Sequence, residues 1–183
     1  VMDQYNIDYN LKNIMSIAII YKVKTVQNTK LQMHHNITQK NDEKITMKIS
    51  DMEGNLVRTF SSKKDSTYKK YDGGPPAEPL LSKEKGMNRF VWNMRQTTMP
   101  GAPDVYIESS YRGHKAPPGK YFVTLYQNNK EVKTEAVILP NPLYNVDANV
   151  YKEYNEVMKG METELTTMHN MVNAMYKKRK QLD

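Results

Sequence analysis

The chain has 183 residues, no cysteine and a formal net charge of +7, and 38% of its residues are hydrophobic. This length supports one domain of ordinary size with an appendage. The absence of cysteine excludes disulfides, thiolate metal ligands and cysteine nucleophiles, and no stretch approaches the ~20 apolar residues that span a bilayer.

The positive charge is concentrated in short basic runs at residues 63–64, 69–70 and 177–180. Nucleic-acid binding needs cations on one face with stacking aromatics between them. Here the cations fall in a predicted loop and at a predicted helix end. We therefore expect solvated charge and no nucleic-acid partner.

Residues 1–28 are predicted to form a lead-in or linker with one candidate strand, because the polar start gives way to a β-rich stretch at 14–26. The first residues lack a basic region followed by an apolar core, so no signal peptide is expected in them. The chain has the character of a piece of a longer protein.

Residues 29–140 are predicted to form an immunoglobulin or fibronectin-III-like β-sandwich. Residues 31–37 and 45–49 alternate in polarity and are separated by turn residues, which predicts a hairpin. The turn at 51–55 contains Gly54 and Asn55 and predicts a second hairpin with the strand at 56–60.

Two later strands organise the sandwich. In one, Phe90 and Trp92 share a face, and in the other Tyr121, Val123 and Leu125 do. We expect Trp92 to be a core residue and not a platform for a sugar. The second strand, at 120–127, is predicted to turn at 128–129 and pair with 132–139, before prolines end the sheet.

Two loops interrupt the strands, and we name residues 61–79 the first excursion and residues 94–116 the second excursion. Both are rich in glycine, proline and polar residues. They carry the exposed aromatic side chains that we expect to form a ligand surface if the loops lie together. These candidates are Tyr68, Tyr71, Tyr106 and Tyr111.

Residues 141–183 are predicted to form a long amphipathic helix, capped by Asp147 and running from about 147 to 181. Its length of roughly 50 Å exceeds the width of a small sandwich, so part of its apolar face needs another partner. Methionine repacks easily, which suits an adaptable surface. The candidate partner face consists of Tyr154, Met158, Met161, Leu165, Met168, Met171 and Met175.

Three motifs together resemble a known bacterial repeat: ITMKISDMEGNLVRTF at 45–60, GMNRFVWN at 86–93 and PPGKYFV at 117–123. They resemble the immunoglobulin or fibronectin-III-like domain of the flagellar hook-capping type. With the helix, the chain resembles the C-terminal region of sortilin-like β-propeller proteins of Bacteroidota, called BNR-repeat proteins or glycosyl hydrolases. That resemblance implies an exported protein in which a propeller precedes the sandwich.

The sequence contains few patterns typical of metal-binding, catalytic or modification sites. His34 and His35 are adjacent and point to opposite faces of a strand, while His114 and His169 lack partners at ligand spacing, so we expect surface or boundary histidines and no metal. The carboxylates lie in turns, loops and a solvated helix face, which does not predict a glycosidase pair. Ser66 follows an aspartate, as in the O-glycosylation acceptor pattern of Bacteroidota.

The sequence therefore favours a non-catalytic structural and interaction module of a larger exported bacterial protein, without a cofactor. The helix would dock an adjacent propeller domain or another subunit. The alternative is a carbohydrate-binding accessory domain that uses the tyrosines of the excursions. We expect a periplasmic, outer-membrane-associated or extracellular location, and no membrane span.

Overall fold

A computed structural model of the chain describes residues 24–25, 31–37, 43–105, 107, 110–128 and 130–182. Within these ranges the chain forms strands followed by one long helix. The strands are β1 (Lys24–Thr25), β2 (Leu31–Ile37), β3 (Thr46–Asp51), β4 (Leu56–Ser61), β5 (Gly86–Trp92), β6 (Gly119–Gln127) and β7 (Lys130–Ile138), and the helix is α1 (Ala148–Arg179). The predicted fold class, mainly β with a helical appendage, is confirmed.

The described strands form two sheets. The larger sheet has the order β1-β7-β6-β3-β4, and the smaller sheet pairs β2 with β5. All pairs are antiparallel except β1 with β7, which run parallel. β1 shows that residues 24–25, at the end of the predicted lead-in, join the edge of the larger sheet. The rest of the strand predicted at 14–26 lies outside the described residues.

The two sheets pack face to face, because alternate side chains of each strand point to the same side. Phe60 in the larger sheet contacts Phe90 in the smaller sheet, with ring centroids 4.6 Å apart. Trp92 in the smaller sheet meets Tyr121 in the larger sheet edge to face at 6.0 Å. Trp92 is fully buried, and its Nε1 donates to the backbone oxygen of Arg95 at 3.0 Å. The prediction that Trp92 is core is confirmed.

Two tight turns lie where the sequence predicts them. Between β3 and β4, the Asp51 carboxylate accepts the backbone N–H of Asn55 at 2.7 Å, and Gly54 takes a φ of 86°. Glycine adopts that left-handed conformation without a steric cost, because it has no Cβ. Between β6 and β7, Asn128 has a φ of 48°, which asparagine tolerates. Both hairpins are confirmed.

The hairpin predicted between residues 31–37 and 45–49 is wrong, although both segments contain strands. β2 pairs with β5 from Leu31↔Trp92 to Ile37↔Gly86, whereas β3 pairs with β4 and β6. The two segments therefore lie in opposite sheets. Alternation of polarity predicts which side chains are buried, but it leaves the partner strand undetermined. A turn-rich connection serves equally well for a hairpin and for a crossing between sheets.

His35 is a core residue, so the expectation of a surface or boundary histidine is wrong at this position. It shares the inward face of β2 with Met33 and Ile37 and has no exposed surface. Its Nε2 lies 2.8 Å from the backbone oxygen of Ser82, to which it donates, and its Nδ1 has no partner within the described chain. Burial lowers the pKa of His35 from its ordinary value of 6.5, because the charged ring would lose its hydration.

His35 should make the free energy of unfolding pH-dependent. Because its folded pKa lies below 6.5, the unfolded state binds more protons in mild acid, and stability falls as the pH drops from 6.5 toward the folded pKa. The slope for one proton approaches about 1.4 kcal/mol per pH unit. Urea unfolding at about pH 7.5 and about pH 5.5 measures it.

The difference between the two pH values should shrink in His35→Gln, whose amide can still donate to the Ser82 oxygen. The control His34→Gln, on the opposite face of β2, should keep the wild-type difference. The same pH difference in all three proteins would contradict this role of His35.

Candidate interaction surfaces

The first and second excursions pack against each other at Tyr71. Gly101 of the second excursion lies so close that a Cβ there would fall on the Tyr71 hydroxyl and 2.5 Å from Pro75 Cδ. The Tyr71 hydroxyl is buried and has no hydrogen-bond partner within the described chain. Burial raises the pKa of Tyr71, and the neighbouring phenol of Tyr111 raises it further. Tyr71 therefore joins the two loops by packing.

Arg58 in β4 attaches both excursions to the sandwich. It is 5% exposed, and its Nη2 donates to the two carboxylate oxygens of Glu78 at 2.8 and 2.7 Å. Its Nη1 donates to the backbone oxygen of Gln96 at 3.0 Å, and its Nη2 lies 3.2 Å from Thr98 Oγ1. A buried guanidinium needs such acceptors in place of water. Sequence reasoning missed Arg58, although it shares the parity of the core residue Phe60.

The four tyrosines predicted as a ligand surface do not form one exposed surface. Tyr111 is 2% exposed, so its predicted exposure is wrong. It lies under α1, edge to face with His169 at a centroid distance of 5.4 Å. Tyr106 lies outside the described residues. Tyr68 and Tyr71 are half-buried in the first excursion. Nothing in the sequence around Tyr111 predicts that α1 will bury it.

Tyr68 and Tyr71 line an open groove of about 450 Å³ in the first excursion. Lys64 and Lys70 lie along the same groove. Gly74 covers part of the Tyr71 ring, since a Cβ at that glycine would lie 2.8 Å from the ring atoms. A sugar stacks on an exposed aromatic face. The partly covered ring of Tyr71 therefore offers less area for stacking than the sequence predicts.

α1 begins at the predicted cap, where the Asp147 carboxylate accepts the backbone N–H of Asn149 at 2.8 Å. One side of α1 then docks on the second excursion and the β3–β4 turn through polar side chains, spaced at three, four or seven residues. The contacts are Asn155 Oδ1 with His114 Nε2 (3.0 Å), Lys159 Nζ with Asp51 Oδ2 (3.7 Å), Glu162 Oε1 with His114 Nδ1 (2.8 Å), His169 Nδ1 with the Pro100 oxygen (2.8 Å), Asn173 Nδ2 with the Gly101 oxygen (2.8 Å) and Tyr176 OH with Asp104 Oδ2 (3.0 Å).

His114 contacts α1 through its ring and through its backbone. Both of its ring nitrogens meet oxygens of α1, and its backbone N–H also donates to the Glu162 carboxylate. Its ring lies edge to face with Tyr154 at 5.7 Å. His114 and His169 are 4% and 5% exposed, so the expectation of surface or boundary positions is wrong for both. α1 covers His114, and the second excursion covers His169, which belongs to α1.

The apolar stripe of α1 faces solvent. We give this name to its exposed apolar residues Val150, Tyr154, Val157, Met161, Leu165, Met168, Met171 and Met175. Their exposure runs from 38% at Leu165 to 63% at Met175. At ~100° per residue, the stripe lies about a third of a turn from the docked polar side chains. The rest of the predicted partner face, Met158, is half-buried at the border between the two sides.

Ser66 lies exposed in a turn that Asp65 closes. Asp65 Oδ1 accepts the hydroxyl and the backbone N–H of Thr67 at 2.7 and 2.8 Å. The Thr67 hydroxyl is the main reason that the pKa of Asp65 lies below its ordinary value. The turn leaves the Ser66 side chain accessible, and its O-glycosylation stays a prediction.

The described residues contain no group of three or more histidine, aspartate or glutamate side chains placed to hold a metal ion. In the same part of the chain, no helix is both long and apolar enough to cross a membrane. The basic runs at 63–64, 69–70 and 177–180 are exposed, as expected for solvated charge. Of the surfaces that the sequence singles out, the apolar stripe and the groove beside Tyr68 remain candidates for recognition.

Gly101→Ala should destabilise the protein by about 1–3 kcal/mol, because the added methyl overfills the contact with Tyr71. Adding Tyr71→Phe to it should recover part of the loss by removing the hydroxyl. Asn170→Ala, at an exposed position of α1, is the control and should change the free energy of unfolding by less than about 0.5 kcal/mol. Urea unfolding checks all three, and equal stability of the Gly101→Ala and wild-type proteins would contradict the close packing.

Glu162→Ala should loosen α1 while the sandwich stays folded. The buried N–H groups of His114 would lose their acceptor, which costs about 1–3 kcal/mol. Hydrogen exchange followed by mass spectrometry should therefore show faster exchange in the N-terminal half of α1. Asn170→Ala, at an exposed position further along α1, should leave this exchange unchanged. A similar acceleration in both variants would contradict the docking role of Glu162.

No protein-family model matches the chain, and no curated protein matches it. Among solved structures, the chain is similar to the Ig1 domain of mouse SynCAM 2, with 10% sequence identity and a TM-score of 0.31, over 68% of this chain and 95% of that one. The β-sandwich assignment rests on the strand register and the shared core of the two sheets.

Proposed function

We propose that this chain is a non-catalytic structural and interaction module that docks a protein partner through the apolar stripe of α1. One observation carries the proposal: α1 lies on the sandwich by its polar side and leaves its apolar side in water. An amphipathic helix that served only the fold of this domain would bury the apolar side instead. The partner is an adjacent domain or another subunit.

Physical chemistry supports a protein as the occupant of the stripe. Removing apolar surface from water is worth about 25 cal/mol per Å², so a row of half-exposed methionine, valine and leucine side chains is a strong driving force for association. Methionine adds an unbranched, polarisable side chain that adapts to the shape of a partner. Four of the eight stripe residues are methionine: Met161, Met168, Met171 and Met175.

The parent protein that we propose is an exported bacterial protein of the sortilin-like, BNR-repeat type. The support is the resemblance of residues 45–60, 86–93 and 117–123, which contribute β3, β4, β5 and part of β6. In such a protein the neighbouring domain would be a β-propeller, and the apolar stripe would face it or another subunit. The periplasm, the outer membrane or the cell exterior would be its location.

The carbohydrate-binding alternative draws on the groove beside Tyr68 and Tyr71. It is the weaker proposal because Tyr111 is buried and Gly74 covers part of the Tyr71 ring. A glycan array with the wild type and with Tyr68→Ala separates the two proposals. Saturable glycan binding that is lost in Tyr68→Ala would favour the alternative.

Site-specific photo-crosslinking tests the interaction proposal. A photoreactive amino acid in place of Met168 should crosslink to protein in the cells that make the native protein. The same group in place of Asn170, an exposed position on the opposite side of α1, is the matched control and should give no such product. Absence of any crosslink at Met168, or equal yields at the two positions, would contradict the proposal.

A further inference from the structure

We propose that the partner of the apolar stripe is the same stripe of a second copy of this chain, with the two α1 helices antiparallel. This inference rests on the proposed function, since it names the occupant of the same surface. Three features of the described part of α1 support it: the spacing of the stripe, the distribution of charge along the helix and the small residues beside the stripe.

The spacing of the stripe is that of a coiled-coil seam. Successive residues from Val150 through Tyr154, Val157 and Met161 are separated by four, three and four positions, and the pattern resumes at Met168. An apolar repeat with a period of seven lets two helices keep contact along their length through a left-handed crossing. Glu164 takes the seam position between Met161 and Met168, with Leu165 beside it. The seam therefore fits another helix better than a flat surface.

Charge selects the antiparallel orientation. Between residues 148 and 163, α1 carries three glutamates and two lysines, a formal net charge of −1, whereas the exposed basic run at 177–180 lies at its end. A parallel pair would place the two basic runs side by side and Glu164 against its own copy. An antiparallel pair places the slightly acidic first half of each helix beside the basic end of the other. Exposed pairs of this kind add little affinity, but they discriminate between orientations.

Small residues along one edge of the stripe allow close approach. Gly160, Thr167 and Ala174 recur every seven residues. In an antiparallel pair centred near Thr167, Gly160 of one copy lies beside Ala174 of the other. A Cβ at Gly160 would meet nothing within 4 Å, so this chain alone gives no steric reason for a glycine that weakens the helix by about 1 kcal/mol. The backbone of a second helix would supply that reason.

The same surface is complementary to itself under a two-fold axis, which is the requirement for a symmetric dimer. The slightly acidic first half and the basic end exchange places, and the small residues on either side of Thr167 oppose each other. The docked polar side of α1 lies about a third of a turn away from the stripe, so each sandwich lies to one side of the proposed seam.

Disulfide trapping of the purified chain tests the orientation, and the chain offers a clean background because it has no cysteine. In the antiparallel register Met161 lies opposite Met171 of the other copy and ~15 Å along the axis from its own counterpart. Mild oxidation of an equimolar mixture of Met161→Cys and Met171→Cys should therefore give mainly the mixed dimer. Each variant alone should give at least about tenfold less, because a disulfide requires Cβ atoms ~4 Å apart.

Charge exchange provides a second, independent readout. Glu153→Lys with Glu156→Lys should weaken self-association about three- to tenfold in sedimentation experiments. Mixing this variant with a chain carrying Lys177→Glu and Lys178→Glu should restore association between the two variants. An unchanged dissociation constant in the first variant would overturn the proposed orientation.

The outcomes separate this inference from the proposed function. Strong self-crosslinking of each cysteine variant alone would overturn the antiparallel arrangement. A chain that stays monomeric at about 100 μM and gives no mixed disulfide would overturn self-pairing. If Met168 still crosslinks to a different protein in cells, the stripe is an interaction surface and only the identity of its partner is wrong. If Met168 crosslinks to nothing, both proposals fail.

Discussion

The buried contact between His114 and Glu162 determines which side of α1 faces the sandwich and which side faces solvent. His114 closes the second excursion, and its backbone N–H and Nδ1 both bond to one carboxylate oxygen of α1. Buried polar groups of this kind must keep their partners, since an unpaired group loses its hydration without compensation. The helix is therefore fixed in rotation about its axis, with its polar side inward. Exposure of the apolar stripe is a direct consequence.

This helix position depends in turn on the sandwich. Trp92 and the aromatic contacts between the sheets set the core, and Arg58 extends from it to hold carbonyl and carboxylate groups of both excursions. Tyr71 then packs the excursions together at Gly101, whose backbone oxygen accepts the Asn173 amide of α1. The core positions the excursions and the excursions position α1. A substitution in the excursions should therefore displace α1 more than it displaces the core.

Local pattern accounts for much of the fold. Alternation predicts the strands and the burial of Trp92, glycine and asparagine predict the two tight turns, and Asp147 predicts the start of α1. Most of the errors share one cause, which is long-range contact. The partner of β2 and the burial of Tyr111 and His114 are set by segments distant in sequence, which local periodicity cannot specify. The apolar stripe follows from spacing alone, whereas its exposure depends on the side of α1 that docks.

Methionine oxidation by hydrogen peroxide, read by mass spectrometry, tests the central claim most directly. At a dilution that keeps the chain monomeric, Met161, Met168 and Met175 should oxidise at least about tenfold faster than Met33 and Met47, which are 2% and 0% exposed. Such a contrast would follow if α1 docks by its polar side. Stripe methionines as protected as the core methionines would contradict the account, because α1 would then bury its apolar side against the sandwich.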